Sequence, residues 1–478
     1  MTQPPLSICW LRGDLRLHDN HALYYASQRG PVVAVFIATP AVWCEHDDAP
    51  IKVDFWRRNL QELAVQLQQK GIALRLLHAE SWEQCPQLLL DCAKECAADA
   101  LFFNDEYGLH EQARDAAVSK AWQAQSLHCE RFTDQLLFPP GNLKTQAGTM
   151  FKVYSQFRRR AYEALHRGLP VCLPAPDEQA GPDITSDPVA DKFGDYPAVP
   201  ADQQDLWPAG EKAAQKRLQH FADQLLEDYE DYRDRPDLDG TSRLSAYLAA
   251  GVLSPRQCLH AALQLNQGEF DSGIPGAVSW INELLWREFY KHILVCYPRV
   301  SRHRAFRPDT EAVVWRNDPE GLRAWQQGKT GIPIVDAAMQ QLLHTGWMHN
   351  RLRMVSAMFL SKNLLIDWRE GERWFMQHLI DGDLAANNGG WQWSASTGTD
   401  SAPYFRVFNP ASQSLKCDPD GSFIREWIPE LAELSGREIH SPPVGDLLSE
   451  IDYPAPIVDL KSSRKRAIEA FRSLGEQA

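Results

Sequence analysis

Apolar positions in the first part of the chain follow two alternating periods. Short continuous runs at residues 6–11, 32–38, 73–77 and 100–103 are separated by stretches with helical spacing, notably 53–70 and 82–97. Strands alternating with helices predict a parallel, doubly wound, Rossmann-like sheet. From residue 169 to 210 the period fails, and the sequence is crowded with Pro, Gly and Asp, the composition of a connection between domains. Beyond residue 211 the spacing is helical almost throughout, at 211–228, 242–250, 255–265, 276–296, 332–345, 351–365 and 371–379, with no repeat of fixed length. The predicted fold class is therefore an α/β N-terminal domain over residues 1–135, a connection over 136–210, and a larger all-α domain over 211–478.

Composition narrows the picture. A chain of 478 residues exceeds the size that one core sustains, so each half can bury a full interior without disulfides. The ten cysteines show neither C-x-x-C pairs nor zinc-type Cys/His spacing, so no metal is expected; Cys85, Cys92 and Cys96 fall at helical intervals beside Leu88, Leu89 and Leu90, as reduced core residues do. The start MTQPPLSICWLRGD lacks a basic region ahead of an apolar run, and no stretch has bilayer-spanning length, which points to a cytoplasmic protein without a membrane. A net charge of −14 argues against indiscriminate polyanion binding but leaves room for a local basic face.

Four stretches stand out chemically. Asp381–Asp400, DGDLAANNGGWQWSASTGTD, is written neither as an amphipathic helix nor as an alternating strand; its amides, glycines and indoles suit a planar heterocycle, or a buried loop whose polar side chains satisfy their own backbone. Gly240–Ser245, GTSRLS, sets hydroxyls and a cation where a helix begins, as an anion site or as a plain N-cap. Trp280, Glu283 and Arg287 share one helix face, as an ion pair or around a polar ligand. Arginines in WMHNRLRM, residues 347–354, could balance Asp381 and Asp383. Near the N-terminus no G-x-G-x-x-G follows the first strand; the charged loop 12–20 either borders a ligand crevice or pairs locally.

WLRGDLRLHDN, GTSRLS, WINELLWREFY, GKTGIPIVDAAM, TGWMHNRLRM, DWREGERWFMQHLIDGDLAANNGGWQW and PYFRVFNP together resemble the photolyase/cryptochrome family over nearly the whole chain, most closely the bacterial class I cyclobutane pyrimidine dimer (CPD) photolyases of folate type. The resemblance implies a helical domain that holds FAD, fully reduced in the active form, and light-driven repair of UV-damaged DNA, single- or double-stranded, by a monomer. It assigns Tyr229, Thr241, Ser242, Arg243, Leu244 and Ser245 to the phosphates and ribityl chain, and Trp280, Glu283, Arg287, Asn350, Arg353, Asp381, Asp383 and Asn387 to the rest of the pocket, with Asn387 facing the flavin N5. Trp391, Trp368 and Trp315 match the chain of indoles that carries electrons to oxidised flavin; packed core indoles are the plainer reading.

For the lesion, the resemblance assigns a hydrogen bond to Glu283, envisaged as a protonated donor, and an apolar wall to Trp286 and Trp393; family enzymes extrude the damaged bases from the stack. Asn350 and Met354 stand where six-four photolyases carry histidines, which favours cyclobutane dimers. Arg233, Arg351 and Arg406 match positions near the dimer or its phosphates, and Arg299, Arg302, His303, Arg304 and Arg307 form a run without acids, as a DNA clamp or as a solvated face. The expected antenna is 5,10-methenyltetrahydrofolate between the domains at His46, His110, Glu111 and Arg302. This sequence departs from the folate pattern at His110, Arg302 and Leu11, which leaves a deazaflavin or no antenna as alternatives. A cryptochrome-type photoreceptor without repair activity and a flavoprotein that only carries electrons are the other classes open to such a chain.

Overall fold

The computed structural model describes residues 5–181, 183–443 and 451–476. Five parallel strands, β1 (Leu6–Leu11), β2 (Val32–Ala38), β3 (Ala73–His78), β4 (Ala98–Asn104) and β5 (His128–Phe132), lie in the order β3-β2-β1-β4-β5. Every residue of β2 is buried, as expected of an inner parallel strand covered on both faces. β5 and the helix Leu109–Ala124 were not legible in the sequence. β5 is an edge strand, HCERF, without a fully buried residue, and the helix turns Arg114 and Asp115 inward beside Val118 and Trp122, which breaks its apolar period.

The Pro-rich connection is docked rather than free. Its Gln179 side chain donates to Val32 O at 3.0 Å and accepts from Val32 N at 3.0 Å, while Asp187 N donates to Leu74 O at 2.7 Å and its carboxylate accepts from Leu76 N at 2.9 Å. The Gln179 bonds hold the start of β2, and the Asp187 bonds cover the open edge of β3, which would otherwise present unpaired backbone groups. Ahead of it the segment forms an amphipathic helix, Tyr154–Arg167, with Tyr154, Phe157, Ala161 and Leu165 inward.

The second half is helical, as the period predicts, with Pro255–Leu265, Pro275–Cys296 and Pro333–Thr345 as its long elements. Asn350–Met358 runs into a π-turn, Phe359–Leu364, before Trp368–Met376. One expectation is corrected: Leu384–Ala395 is a helix, capped by Asp383, whose Oδ1 accepts from Ala386 N at 3.0 Å. It shows no amphipathic pattern because its buried face mixes Asn388, Gln392 and Ser394 with Ala385 and Trp391. One apolar core runs from Leu11 and Phe36 of the sheet through Phe157 to Trp280 and Phe289, so the two halves share an interior.

The charged loop after β1 turns out to be the clasp between them. Arg256 of the helical half sends Nε to Asp19 at 2.7 Å and Nη2 to Asp134 at 3.0 Å, while Arg16 reaches Asp134 at 2.5 Å and Gly251 O at 2.9 Å. All four side chains are at most 3% exposed. Removing one partner of such a cluster strands buried carboxylates, so Arg256→Met should lower stability by about 3–5 kcal/mol in urea unfolding, against less than about 1 kcal/mol for an exposed pair such as Arg160→Met.

Candidate functional site

The helix Pro275–Cys296 presents Trp280, Glu283, Trp286, Arg287 and Lys291 along its length. Trp280 is buried against Phe221, with ring centroids 4.9 Å apart. Glu283 Oε1 accepts from Arg233 Nη2 at 2.7 Å, and Arg233 Nη1 donates to Ser279 at 2.7 Å. The partner of Glu283 in this fold is thus Arg233, a contact the sequence does not show. Arg287 donates to Gln135 O at 2.7 Å, tying this helix to the α/β half.

Of the two aspartates, Asp381 takes Arg353, at 2.8 Å and 3.1 Å, as the sequence suggests. Asp383 does not; its partner is Lys291, at 2.6 Å. Burial disfavours ionised Asp383, but Lys291 and Arg287 outweigh it and hold the carboxyl well below its usual range. Burial in turn lowers the Lys291 ammonium from its ordinary value, with Asp383 opposing. Lys291 carries no sequence signal, being one polar position on a mostly buried helix.

At Gly240–Ser245 the helix that follows, Ser245–Ala249, is one short turn, so the anion-binding capacity there rests on side chains rather than on a helix terminus. Thr241, Ser242 and Ser245 are half-buried and Arg243 is exposed. The Leu244 side chain is fully buried, which leaves only its backbone for a ligand. Arg243 sits in the left-handed region at φ 49°, with its guanidinium 5.6 Å over the Trp347 ring, and Trp347 Nε1 donates to Ser245 at 3.3 Å. Trp347, overlooked in the sequence, thus floors the motif; Tyr229 is buried with Arg233 5.5 Å over its ring. Hydroxyls, guanidinium groups and indoles in this arrangement suit a phosphate-bearing planar group.

On Leu384–Ala395, Asn387 Nδ2 donates to Glu372 O at 2.9 Å, which leaves its amide oxygen for a ligand, and Asn388 donates to the Glu372 carboxylate at 2.8 Å. A Cβ on Gly389 would collide with the Tyr290 ring, whereas Gly390 has nothing within 4 Å, so only the first glycine answers to close packing. Trp391 lies against Gly371 of the Trp368–Met376 helix. Trp391 and Trp368 are buried and Trp315 is half-buried, in one cluster that runs outward to Phe471, whose ring meets Trp315 edge-on at 6.2 Å.

Among the residues expected at DNA, Asn350 and Arg406 are exposed, Met354 and Trp393 half-buried, and Arg351 is ion-paired with Asp234. Trp286 stacks on Tyr154 with centroids 3.6 Å apart. The basic run is not acid-free in space: Arg299 meets Glu311 at 3.7 Å, His303 meets Glu372 at 3.0 Å and Arg307 meets Asp309 at 2.6 Å. Arg302 and His303 line a cavity rather than a duplex-facing surface.

That cavity, about 480 Å³, lies between the halves and brings together all four residues expected at the antenna, His46, His110, Glu111 and Arg302. Trp10, Trp43, Trp56 and Trp82 give it flat walls, and Lys291 and Asp383 close its inner end. His46 Nε2 lies 3.4 Å from His110 Nδ1, and burial lowers the His46 pKa. Burial, then Glu106, raises the Glu111 carboxyl to about 7; burial also opposes ionised Glu106, but Arg114 and Arg12 hold it at about 2. Among the described residues no group of three or more side chains is arranged to hold a metal, and no helix is long and apolar enough to cross a membrane.

Residues 7–177 match the family described as DNA photolyase, and residues 280–473 the family described as FAD binding domain of DNA photolyase. The chain is 45% identical over 473 residues to the deoxyribodipyrimidine photo-lyase of Escherichia coli, covering 98% of both chains, and 41% identical over 476 residues to that of Vibrio cholerae, covering 98% of this chain and 99% of the other. In structure it is similar to a bacterial class III photolyase from Agrobacterium tumefaciens, with TM-score 0.89, 34% identity and coverage of 100% and 98%, and to a Synechocystis cryptochrome, with TM-score 0.85, 29% identity and coverage of 98% and 100%.

One side chain beneath the pocket titrates usefully. His349 is buried and caps the Asn350–Met358 helix, its Nδ1 accepting from Arg351 N at 3.2 Å, which requires an unprotonated ring nitrogen. Burial lowers its pKa to about 4, from the ordinary histidine value of 6.5. The stability it contributes is complete above about pH 6.5 and is lost as pH falls through about 4. Urea midpoints should therefore decline over that interval, and His349→Asn, which caps without titrating, should flatten the decline.

Proposed function

The chain belongs to the DNA photolyase family, and on that basis we propose that it is an enzyme of light-dependent DNA repair that splits cyclobutane pyrimidine dimers. The observation that carries the reading is the helix Pro275–Cys296, which sets Glu283, paired to Arg233, one turn from the half-buried indole of Trp286. A carboxylate beside an aromatic face suits a pyrimidine, accepting its imide N–H while the ring packs on the indole. Asn350 and Met354 offer no histidine pair, which supports the cyclobutane lesion over the six-four one. Trp393 adds to the apolar wall, and Arg351 and Arg406 serve the phosphates.

FAD fits the donor set, with Tyr229 and Thr241–Ser245 toward its phosphates and ribityl chain, and Trp280, Arg287, Asn350, Arg353, Asp381, Asp383 and Asn387 around its ring. When bound, it supplies the light-driven electron that opens the cyclobutane ring. The chain's own residues hold donor and acceptor in fixed register and exclude water. Two charges, Asp383 and Lys291, lie at the flavin side already neutralised by each other, so a reduced flavin meets no uncompensated carboxylate. Trp391, Trp368 and Trp315 supply electrons inward from the surface.

The interdomain cavity takes 5,10-methenyltetrahydrofolate, its indoles accepting the planar ring and Glu111, which burial keeps easily protonated, facing the heterocycle. Arg302 at the rim suits an acidic tail. The protein works in the cytoplasm as a monomer, built as an antenna-binding domain (residues 1–135), a connection (136–210) and a catalytic domain (211–478).

Reduced holoenzyme irradiated with oligonucleotides that carry one defined lesion should restore thymines from the cyclobutane dimer and not from the six-four product; the opposite preference, or turnover in the dark, refutes the assignment. Loss of a charge-assisted hydrogen bond costs about 1.5–3 kcal/mol, so Glu283→Ala should lower repair by that equivalent while flavin content stays unchanged. In Trp368→Phe, photoreduction of oxidised flavin should slow sharply while repair by pre-reduced enzyme persists, measured by the flavin absorption band and by lesion loss. Equal loss of both would remove the indole chain from its accessory role.

A further inference from the structure

The helix Tyr154–Arg167 belongs by sequence to the connection, yet it is fastened to the lesion side of the helical half. Tyr154 lies flat on Trp286, with ring centroids 3.6 Å apart and planes 12° from parallel, and its hydroxyl donates to Asn282 O at 2.7 Å. About two helical turns further on, Tyr162 donates to the Asn282 side-chain oxygen at 2.6 Å. Asn282 precedes Glu283. At the helix start, Tyr154 N donates to Asp400 at 3.0 Å and Thr399 donates to Lys152 O at 2.7 Å, so the loop beyond Leu384–Ala395 holds the same element. Tyr290 also packs on Trp286, with centroids 5.6 Å apart, in the space that Gly389 leaves open.

Resting on the lesion-pocket reading above, we infer that Tyr154 is a positioning residue for dimer recognition, which fixes the Trp286 indole by covering one face. An indole on a helix surface has more than one rotamer, and a base can pack only on the one that faces the pocket. Tyr154, 6% exposed, removes the alternatives before DNA arrives, which lowers the ordering cost of binding. Burial, then the nearby Glu283 charge, raises the Tyr154 phenol, so the hydroxyl keeps its proton and remains the donor to Asn282. Arg158, whose guanidinium lies 6.0 Å over the rings of both Tyr154 and Tyr162, adds a cation to the same rim.

The test measures binding of FAD-loaded protein to an oligonucleotide with one thymine dimer and to its undamaged twin. Tyr154→Leu should weaken dimer binding about 3- to 10-fold, the worth of one aromatic stack. Affinity for undamaged DNA, flavin content and repair per bound complex should not change, and Tyr154→Phe should restore most of the loss. In a Trp286→Ala background the Leu substitution should add nothing further. Should Tyr154→Leu fail to retain flavin, Tyr154→Met is judged by the same criteria. The inference is overturned if the variant still prefers the dimer as strongly as wild type, if undamaged DNA is lost equally, if Phe is no better than Leu, or if the two losses add. A wild-type protein that shows no preference for the dimer would instead remove the lesion-pocket reading itself.

Discussion

Arg256 is the contact on which the rest of the architecture depends. A guanidinium buried between Asp19 and Asp134, with Arg16 on the second carboxylate, joins a loop of the sheet to a helix of the other half in a setting where water cannot replace any partner. Such a cluster gives little net stability over an apolar substitute, but it permits one arrangement of the halves and penalises others. A cavity built from both halves keeps its shape only if that arrangement is unique. The interdomain cavity is of this kind, with His46, His110 and Glu111 from one side and Arg302, Lys291 and Asp383 from the other.

The Lys291–Asp383 pair lines that cavity, and its electrostatics follow from burial. Each charge alone would be costly there; together they stay ionised, with Asp383 held low by Lys291 and Arg287. Asp383 also caps the helix that carries Asn387 and Trp391. One carboxylate therefore sets a helix start and neutralises a lysine at the wall of that cavity. The helix Pro275–Cys296 plays a comparable part in steric terms, since it carries Trp280, Glu283, Trp286, Arg287 and Lys291 on a single rod.

An acidic chain that binds a polyanion has to keep its cations away from its own carboxylates. Arg406 is exposed without an acid partner among the described residues, whereas Arg299 is drawn to Glu311 and Arg307 to Asp309.

By itself, the sequence determined the parts that local spacing encodes. The runs at 6–11 and 32–38 are β1 and β2 because an inner parallel strand is apolar on both faces, and residues 255–265 are helical because Ser254 caps them with a reciprocal box to Gln257. The long family motifs made the family legible as well. What only the tertiary structure decided is every feature whose partner lies far along the chain. Leu384–Ala395 hides as a helix because its inward face is amide and indole, satisfied by Glu372; β5 hides because it is an exposed edge; Asp383 finds Lys291 rather than the nearby arginines. The docking of Tyr154 on Trp286 belongs to the same class. Spacing along the chain reports which face of an element is buried, whereas pairing of charges, amides and rings is settled by which distant surfaces the fold presses together.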